Sequence, residues 1–205
     1  MLLKAAKYYK KEGLSIIAVG ENKRAIMPWK KYQSEIASDE DLKLQFAHEK
    51  CKGLAVICGS VSGNLEVIDV DLKYDVSGTL WQRLKNELGN IFTKLYCVQT
   101  KSGGYHLYYK CEVIEGNQKF ANRPATPEEL KENPHVKSIV LIESRGDGGY
   151  VLAPPSEGYT KQNEFDIPII TIDERESVLS VCRSFNEVIE EERPQHKHTE
   201  TNGYA

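Results

Sequence analysis

The chain has 205 residues, of which 40% are hydrophobic and 28% charged, so it can bury one sizeable core and reads as a soluble globular protein. Apolar runs such as residues 54–58 are far shorter than the roughly 20 residues that cross a bilayer, and we expect no membrane helix. Residues 1–7 lack a small-residue cleavage pattern, which argues against a signal peptide and predicts a cytoplasmic location. The net charge of −3 excludes a broadly basic surface, so contact with nucleic acid requires a local patch.

The cysteines predict reduced thiols in a core. They are odd in number and scattered, and they form neither a Cys-x-x-Cys pair nor a zinc-site spacing with a histidine. They are Cys51, Cys58, Cys97, Cys111 and Cys182.

The first quarter of the sequence alternates helical and extended patterns. Apolar residues at helical spacing predict a helix over residues 3–11, which Gly13 ends. Residues 14–19 are typical of a buried strand, and residues 22–31 form a basic loop. Ser38 followed by acidic residues predicts the start of a second helix.

Two β-rich runs follow, over residues 54–58 and 65–70. The turn-forming segment 59–64 between them favours a hairpin that ends at a pair of aspartates. Apolar residues at helical spacing then predict a helix over residues 79–88, ending at Gly89.

The middle of the chain contains a glycine-rich turn between two strands. Residues 95–100 lead into it and residues 106–110 lead out. Residues 112–137 are polar and rich in proline, which predicts a long irregular excursion with one short helix at 127–132.

The segment that follows is predicted to be another hairpin. Residues 138–143 form a strand, residues 145–149 a tight turn, and residues 150–153 the partner strand. Helices and strands that do not strictly alternate favour an α+β fold. We therefore predict one folded domain over residues 1–172, and the candidate catalytic residues described below all lie within it.

Two segments follow that domain. An amphipathic pattern predicts a connector helix over residues 173–192, and the polar residues 193–205 are predicted to be a disordered tail.

Three carboxylates follow apolar strand patterns and are candidate metal ligands. Asp69 and Asp71 are two residues apart on a strand and so project to one face, where a divalent cation would relieve their repulsion. Glu143 ends another apolar run, and the three acids together form a ligand set for Mg²⁺ or Mn²⁺ in phosphoryl transfer. The alternatives are exposed acids at a strand end and a salt bridge between Glu143 and Arg145.

The segment Ser102-Gly103-Gly104-Tyr105-His106 is a candidate phosphate site. Its glycines permit close approach of the backbone to an anion, and His106 begins the next strand, although an ordinary hairpin with a surface histidine is the competing interpretation. An arginine adds a bidentate phosphate contact that a lysine does not reproduce. The nucleotide-binding candidates are Lys101, Ser102, Gly103, Gly104, His106 and Arg145.

The order of these motifs resembles the bifunctional primase-polymerase domain of the archaeo-eukaryotic primase superfamily. The resemblance covers roughly residues 5–160 and rests on segments that occur in the family's order. They are Lys23 to Trp29, Gly59 to Gly63, Val67-Ile68-Asp69-Val70-Asp71, Ser102-Gly103-Gly104-Tyr105-His106, Glu143 to Val151, and Ala153-Pro154-Pro155-Ser156.

The resemblance implies an RNA-recognition-motif-like (RRM-like) catalytic module packed with an N-terminal α/β module, and an active site between them. It implies a template-dependent nucleotidyltransferase, a DNA polymerase with primase activity that uses two-metal phosphoryl transfer. Asp69, Asp71 and Glu143 fall on the family's acidic motifs, and His106 on its nucleotide-binding histidine. The implied partners are dNTP or NTP, single-stranded or primed DNA, and a helicase domain or protein.

The chain departs from the family pattern at two of these positions. Glu143 stands where an aspartate is frequent, and Gly104 where relatives often have a serine. The other functions open at this point are a catalytically silent nucleotide- or template-binding module, a metal-dependent nuclease, and a glycosyltransferase that uses Asp-x-Asp.

Overall fold

The strands form two antiparallel sheets in the computed structural model, which describes residues 1–164 and 166–188. The helices are α1 (Leu2–Lys11), α2 (Asp39–Ala47), α3 (Leu80–Leu88), α4 (Pro127–Glu132) and α5 (Ile172–Ser184). The strands are β1 (Ser15–Val19), β2 (Gly53–Ile57), β3 (Leu65–Val70), β4 (Tyr96–Gln99), β5 (Tyr105–Lys110), β6 (Gln118–Pro124), β7 (Ser138–Arg145), β8 (Tyr150–Ala153) and β9 (Thr160–Lys161).

The small sheet has the order β1-β2-β8 and the large sheet the order β6-β7-β3-β5-β4-β9. Helices mixed with antiparallel sheets confirm the α+β class. One face of the large sheet packs against the small sheet and α1, and the other face is covered by α3 and α5. The small sheet, the large sheet and the helices are therefore stacked as layers.

Strand β3 shows how the sequence orients the large sheet. Ile68 and Val70 point into the core beneath α3 and α5, while Val67 packs toward the small sheet. Because side chains alternate along a strand, Asp69 shares the face of Val67 and lies between the two sheets. The position of Asp69 between the two sheets thus follows from the alternation of its apolar neighbours.

The predicted hairpin over residues 54–70 is wrong, because β2 and β3 lie in different sheets. The connection is a 3₁₀ turn, Ser60–Ser62. The Ser62 hydroxyl donates to the Ile57 carbonyl oxygen at 2.5 Å and accepts from the Ser15 amide at 2.9 Å. These bonds hold the turn on the small sheet while the chain crosses to the large one. Both strands are buried on two faces, so their sequences did not reveal which sheet each joins.

The predicted pairing of residues 138–143 with residues 150–153 is also wrong. Strand β8 pairs with β2 instead of β7, with Val151 opposite Val56. The turn between β7 and β8 does form, with the Gly149 amide donating to the Gly146 carbonyl oxygen at 3.0 Å. It carries the chain from the large sheet to the small sheet.

The excursion predicted over residues 112–137 contains an edge strand, β6, which the sequence reading missed. Irregular register around Lys119 to Asn122 disrupts the alternation that would have identified this strand. The short helix was predicted correctly as α4, with a capping box between Thr126 and Glu129.

Helix α5 is shorter than predicted, ending at Ser184. The Asn186 side chain accepts from the Asn122 amide at 2.9 Å, and the Glu187 amide donates to the Asn122 carbonyl oxygen at 2.8 Å. The chain after α5 therefore binds alongside β6 instead of continuing the helix. The end of the predicted helix, residues 189–192, and the predicted tail, residues 193–205, lie outside the described residues.

The described helices include none that is long and apolar enough to cross a membrane. The five cysteines all fall within the described residues as free thiols, and four of them are buried.

Candidate active site

A row of three polar side chains crosses the centre of the large sheet. Asp69 on β3 is directly opposite His106 on β5 and Glu143 on β7. Residues opposite one another in antiparallel strands project to the same face, so the three side chains converge between the sheets. The Nε2 atom of His106 lies 3.6 Å from Oδ1 of Asp69.

Asp71 lies just past the end of β3 and joins this row. Its amide donates to the Leu141 carbonyl oxygen at 2.9 Å, which fixes it against β7. One carboxylate oxygen, Oδ2, lies 3.5 Å from the Lys73 ammonium. The other, Oδ1, is buried and accepts no hydrogen bond from the residues the structure describes. A buried carboxylate oxygen without a donor is free to bind a ligand.

The acids lie in a cleft of about 410 Å³ between the two sheets. Lys23 from the loop after β1, Lys73 and Arg145 bring positive charge to it. With Asp69, Asp71 and Glu143 also lining it, formal cations and anions are equal in number. A highly charged triphosphate would leave this cleft with excess negative charge unless cations bound with it.

Burial raises the pKa of each of the three acids. The positive charge of Arg145 opposes this rise for Asp69 and Glu143, and that of Lys73 opposes it for Asp71. A raised carboxyl pKa means that burying the ionised form costs free energy. A bound cation would offset that cost.

His106 is a neutral side chain in this environment. Burial lowers its pKa to about 3, and the nearby charges of Lys23 and Arg145 act in the same direction. Its Nδ1 atom lies 3.4 Å from the Tyr108 hydroxyl, which fixes the plane of the ring. Near pH 7 the imidazole therefore adds no charge, and its Nε2 can give a hydrogen bond to a ligand in the tautomer in which Nδ1 accepts from the Tyr108 hydroxyl.

Glu143 is paired with Arg145, as the competing interpretation of its sequence position anticipated. In the described part of the chain, the side chains form no ready group of three or more histidine, cysteine, aspartate or glutamate metal ligands. Asp69 and the orphaned Oδ1 of Asp71 nevertheless fit a hard divalent cation, which prefers carboxylate oxygens. Glu143 contacts Arg145 through Oε1 alone, so its other carboxylate oxygen could join them.

The glycine-rich turn approaches the site mainly through the hydroxyl of Ser102. Ser102 lines the cleft and its Oγ lies 3.2 Å from Oγ1 of Thr100. The Gly103 amide already donates to the Thr100 carbonyl oxygen at 3.0 Å. A Cβ atom on Gly104 would overlap the Val70 carbonyl oxygen, so this glycine is needed for close contact between β5 and the end of β3.

Three predicted site residues, Lys101, Gly103 and Gly104, do not line the cleft. The Lys101 ammonium lies 3.3 Å from a carboxylate oxygen of Glu157, and its side chain points toward a neighbouring depression. The other candidates (Asp69, Asp71, Ser102, His106, Glu143 and Arg145) all line the cleft.

Sequence reasoning missed several residues that line the same cleft. Lys73 follows the acidic pair by two residues, which was a usable signal, whereas Asn117 lies in the segment predicted to be irregular. Lys23 and Trp29 belonged to the quoted motif order but were given no role. Trp29 packs edge-on against Tyr150, with ring centroids 5.0 Å apart, at the rim contributed by the small sheet.

Comparison with known proteins identifies the family of the chain. No curated protein matches the chain. A family model described as bifunctional DNA primase/polymerase, N-terminal, matches residues 5–166, which is more than three quarters of the chain and spans every residue of the cleft. The chain therefore belongs to the Prim-Pol family, whose members are nucleotidyltransferases of the DNA primase/polymerase type.

Proposed function

We propose that this chain is a template-dependent DNA polymerase that adds nucleotides to a 3′ end by metal-assisted phosphoryl transfer. The observation that carries the proposal is the position of Asp69 and Asp71, two half-buried acids, one with an orphaned oxygen, in a cleft that three cationic side chains also line. Membership of the Prim-Pol family supports the same class of reaction.

Asp69, Asp71 and Glu143 are the residues proposed to hold Mg²⁺ or Mn²⁺. When bound, such ions would activate the attacking hydroxyl and neutralise charge on the triphosphate. Lys23, Lys73 and Arg145, which line the same cleft, would orient phosphate oxygens. A triphosphate would compete with Glu143 for the guanidinium of Arg145, so nucleotide binding and release of Glu143 are expected to occur together.

His106 and Ser102 complete the proposed nucleotide site. A neutral imidazole donates one hydrogen bond without adding charge, which suits orientation of a phosphate oxygen. The backbone of Gly103 and Gly104 shapes the turn that presents Ser102. Direct nucleotide contacts by Lys101, Gly103 and Gly104 remain predictions.

The catalytic module is proposed to be RRM-like. The strand order β7-β3-β5-β4, with α3 between β3 and β4 and helices on one face, supports this arrangement. The template is proposed to be single-stranded or primed DNA. A helicase domain or protein as partner stays a prediction.

Primer extension tests the proposal. We expect the protein to lengthen a labelled primer on a DNA template with dNTPs and Mg²⁺ or Mn²⁺, and the Asp69→Asn variant to lose this activity. The Asp39→Asn variant is the control, because Asp39 lies on the surface of α2 in pairs with Lys7 and Lys10. A wild-type protein that lengthens no primer, or an Asp69→Asn variant with full activity, would refute the proposal; a shortened primer would indicate a nuclease.

A catalytically silent nucleotide-binding module is the second candidate. The pairing of Glu143 with Arg145 favours it, because this pairing occupies one of the three acids needed for metal binding. The two candidates differ in one measurement. A silent module would bind nucleotide in a titration while failing to extend a primer with either metal ion.

A further inference from the structure

An aromatic recess lies on the helix face of the large sheet, on the opposite side of the sheet from the candidate acids. Its volume is about 470 Å³, compared with 410 Å³ for the active-site cleft, and the two spaces share none of the described residues. We call it the aromatic recess. The side chains that matter for its chemistry are Trp81, Lys85, Phe92, Tyr105, Gln162 and Asn163.

The recess forms because α3 leaves part of β4 and β5 uncovered. Three leucines of α3 are buried against the sheet, whereas Trp81 is half-buried on the flank of the helix. Its ring lies parallel to that of Tyr105, with centroids 3.8 Å apart and an interplanar angle of 5°. Phe92 meets Trp81 edge-on, with centroids 5.5 Å apart. A parallel pair of half-buried rings offers a flat face on which another planar ring can stack.

The polar side chains of the recess suit a nucleotide. The Lys85 ammonium lies 5.6 Å from the centroid of the Trp81 ring, because the two residues are one helical turn apart. Among the described residues that line the recess, Lys85 is the one charged side chain, so the recess attracts an anion such as a phosphate. The exposed Gln162 donates through its side-chain nitrogen to the Thr160 carbonyl oxygen at 3.2 Å, which leaves its side-chain oxygen to accept from a base.

One wall of the recess is held in place before any ligand binds. The Asn163 side chain donates to the Leu95 carbonyl oxygen at 2.8 Å and accepts from the Cys97 amide at 3.3 Å. The Gln162 amide donates to the Cys97 carbonyl oxygen at 2.9 Å. These bonds attach the segment after β9 to β4, so little conformational freedom is lost when a ligand enters.

The recess lies at the same end of the sheet as the active-site cleft. Tyr105 is the first residue of β5, and His106, which follows it, lines the cleft. Tyr105 lies opposite Val70, which packs in the core beneath α3, so its side chain projects to the helix face. Ser102, in the turn before β5, lines the cleft. The two sites are therefore on opposite faces of the sheet, one residue apart along β5.

We infer that the aromatic recess binds an unpaired base of single-stranded DNA by stacking on Trp81, and the inference takes the identity of the strand from the proposed function. An aromatic face beside a cation is the combination that binds unpaired bases without regard to sequence. A template strand that leaves the cleft around the glycine-rich turn would reach the recess. A second contact on the same strand raises its affinity above that of the cleft alone.

The two tryptophans of the chain make the inference testable, since one lies at each site. The Trp29→Phe variant leaves Trp81 as the reporter for the recess. In EDTA and without dNTP, an oligo(dT) of about 20 nucleotides, long enough to span both sites, should quench its fluorescence. Binding detected by anisotropy of a labelled oligo(dT) without quenching of Trp81 would overturn the inference. Equal quenching by dTMP at the same nucleotide concentration would overturn the assignment to a DNA strand.

Removal of the stacking ring should weaken binding. Trp81→Ala should raise the Kd for oligo(dT) about tenfold, the effect expected from the loss of one stacked base. Tyr8→Ala is the matched control, because Tyr8 is a 57% exposed aromatic residue on α1, which packs on the other face of the sheet. It should change the Kd less than about twofold. Equal effects of the two replacements would overturn the inference.

A charge reversal tests the recess without removing a ring, which guards against a folding defect in Trp81→Ala. Lys85→Glu should raise the Kd for oligo(dT) about fivefold or more at low salt. Lys4→Glu makes the same change of net charge at an exposed position of α1 and should change the Kd less than about twofold. Thermal melting checks that each variant folds. If both charge reversals weakened binding equally, the effect would be one of net charge and the inference would be wrong.

These binding measurements separate the inference from the proposed function, because they involve no catalysis. A wild-type protein that binds oligo(dT) through Trp81 but lengthens no primer would refute the proposed polymerase and support the recess. A wild-type protein that lengthens a primer while Trp81→Ala binds oligo(dT) normally would support the polymerase and overturn the recess.

Discussion

Two pairs of glutamate and arginine lie on opposite faces of the large sheet. Glu66 and Arg175 meet on the helix face, with side chains 0% and 3% exposed. Glu143 and Arg145 meet on the cleft face, with side chains 22% and 33% exposed. Both glutamates belong to adjacent strands of one sheet, so the pairs differ mainly in what surrounds them.

The buried pair is fully satisfied. Arg175 donates to both oxygens of Glu66, at 2.6 and 3.0 Å, and the Tyr109 hydroxyl donates to one of them at 2.7 Å. The cleft pair is a single contact beside an aspartate oxygen that lacks a partner among the described residues. A network in which every charged atom has a partner stabilises the fold, whereas a network with an unpartnered atom can bind a ligand.

The largest effect is expected from breaking the buried pair. Replacement of Arg175 by methionine leaves the Glu66 charge buried without a cation, which should lower the free energy of unfolding by about 3–5 kcal/mol. Denaturant unfolding followed by circular dichroism measures the change.

The cleft pair supplies the matched control for that experiment. Arg145→Met should change stability by less than about 1 kcal/mol, because the pair is partly exposed and solvent screens it. The same variant should extend a primer poorly. If Arg175→Met and Arg145→Met lowered the free energy of unfolding equally, the two pairs would not differ in their contribution to stability.

The next largest effect is expected at Asp71, where function and stability should separate. Asp71→Asn should lower primer extension at least about 100-fold while raising the free energy of unfolding by up to about 1 kcal/mol. The reason is that burial raises the Asp71 pKa, so the charged form destabilises the folded protein at neutral pH. This penalty is complete above the raised folded pKa, shrinks as the pH falls below it, and is absent below the unfolded pKa.

Thermal melting with and without Mn²⁺ gives a second readout at Asp71. The metal should raise the melting temperature of wild type more than that of Asp71→Asn. Asp75→Asn is the contrasting control. Burial alone would raise the Asp75 pKa, but hydrogen bonds from Ser77 and from the Leu80 amide outweigh burial and hold this pKa below its usual value. Losing the Asp75 charge should therefore destabilise the fold. A destabilised Asp71→Asn variant would contradict the account of an unsatisfied site.

The sequence predicted the candidate site better than it predicted how the sheets are built. Asp69, Asp71 and Glu143 stood out because each follows an apolar strand pattern, and their chemistry is local to those strands. Sheet membership depends instead on partners far along the chain. Strand β2 could be read as the partner of β3, yet it pairs with β1 and β8.

The missed basic residues have the same explanation. Lys23 lies far from the acids in sequence and reaches them only because the small sheet packs on the large one. Lys101 lies beside the glycine turn in sequence, yet its side chain pairs with Glu157 outside the cleft. Because the prediction relied on proximity in sequence, it included Lys101 in the site and missed Lys23.

A smaller effect is expected from exchanging these two lysines for glutamine. Lys23→Gln should raise the KM for dNTP about tenfold with little change in kcat, because it removes one phosphate contact made equally in the ground and transition states. Lys101→Gln should change the KM less than about twofold. Steady-state kinetics with varied dNTP measures both, and a larger effect at Lys101 would restore its role as a nucleotide ligand.

The smallest effect is expected at a third pair, Arg123 with Glu129, whose arginine is intermediate in exposure between the arginines of the two pairs compared above. Hydrogen bonds from Arg123 and from the Thr126 amide lower the Glu129 pKa to about 2. Because the folded pKa is depressed, its contribution to stability is present above the unfolded pKa and is lost as the pH falls through about 2.

Melting curves of wild type and Glu129→Gln at several pH values test this pair. The variant should melt at a lower temperature at pH 7, and the difference should shrink steadily below about pH 4.5, where the unfolded glutamate takes up its proton. A difference independent of pH would mean that the carboxylate charge is not what Arg123 recognises.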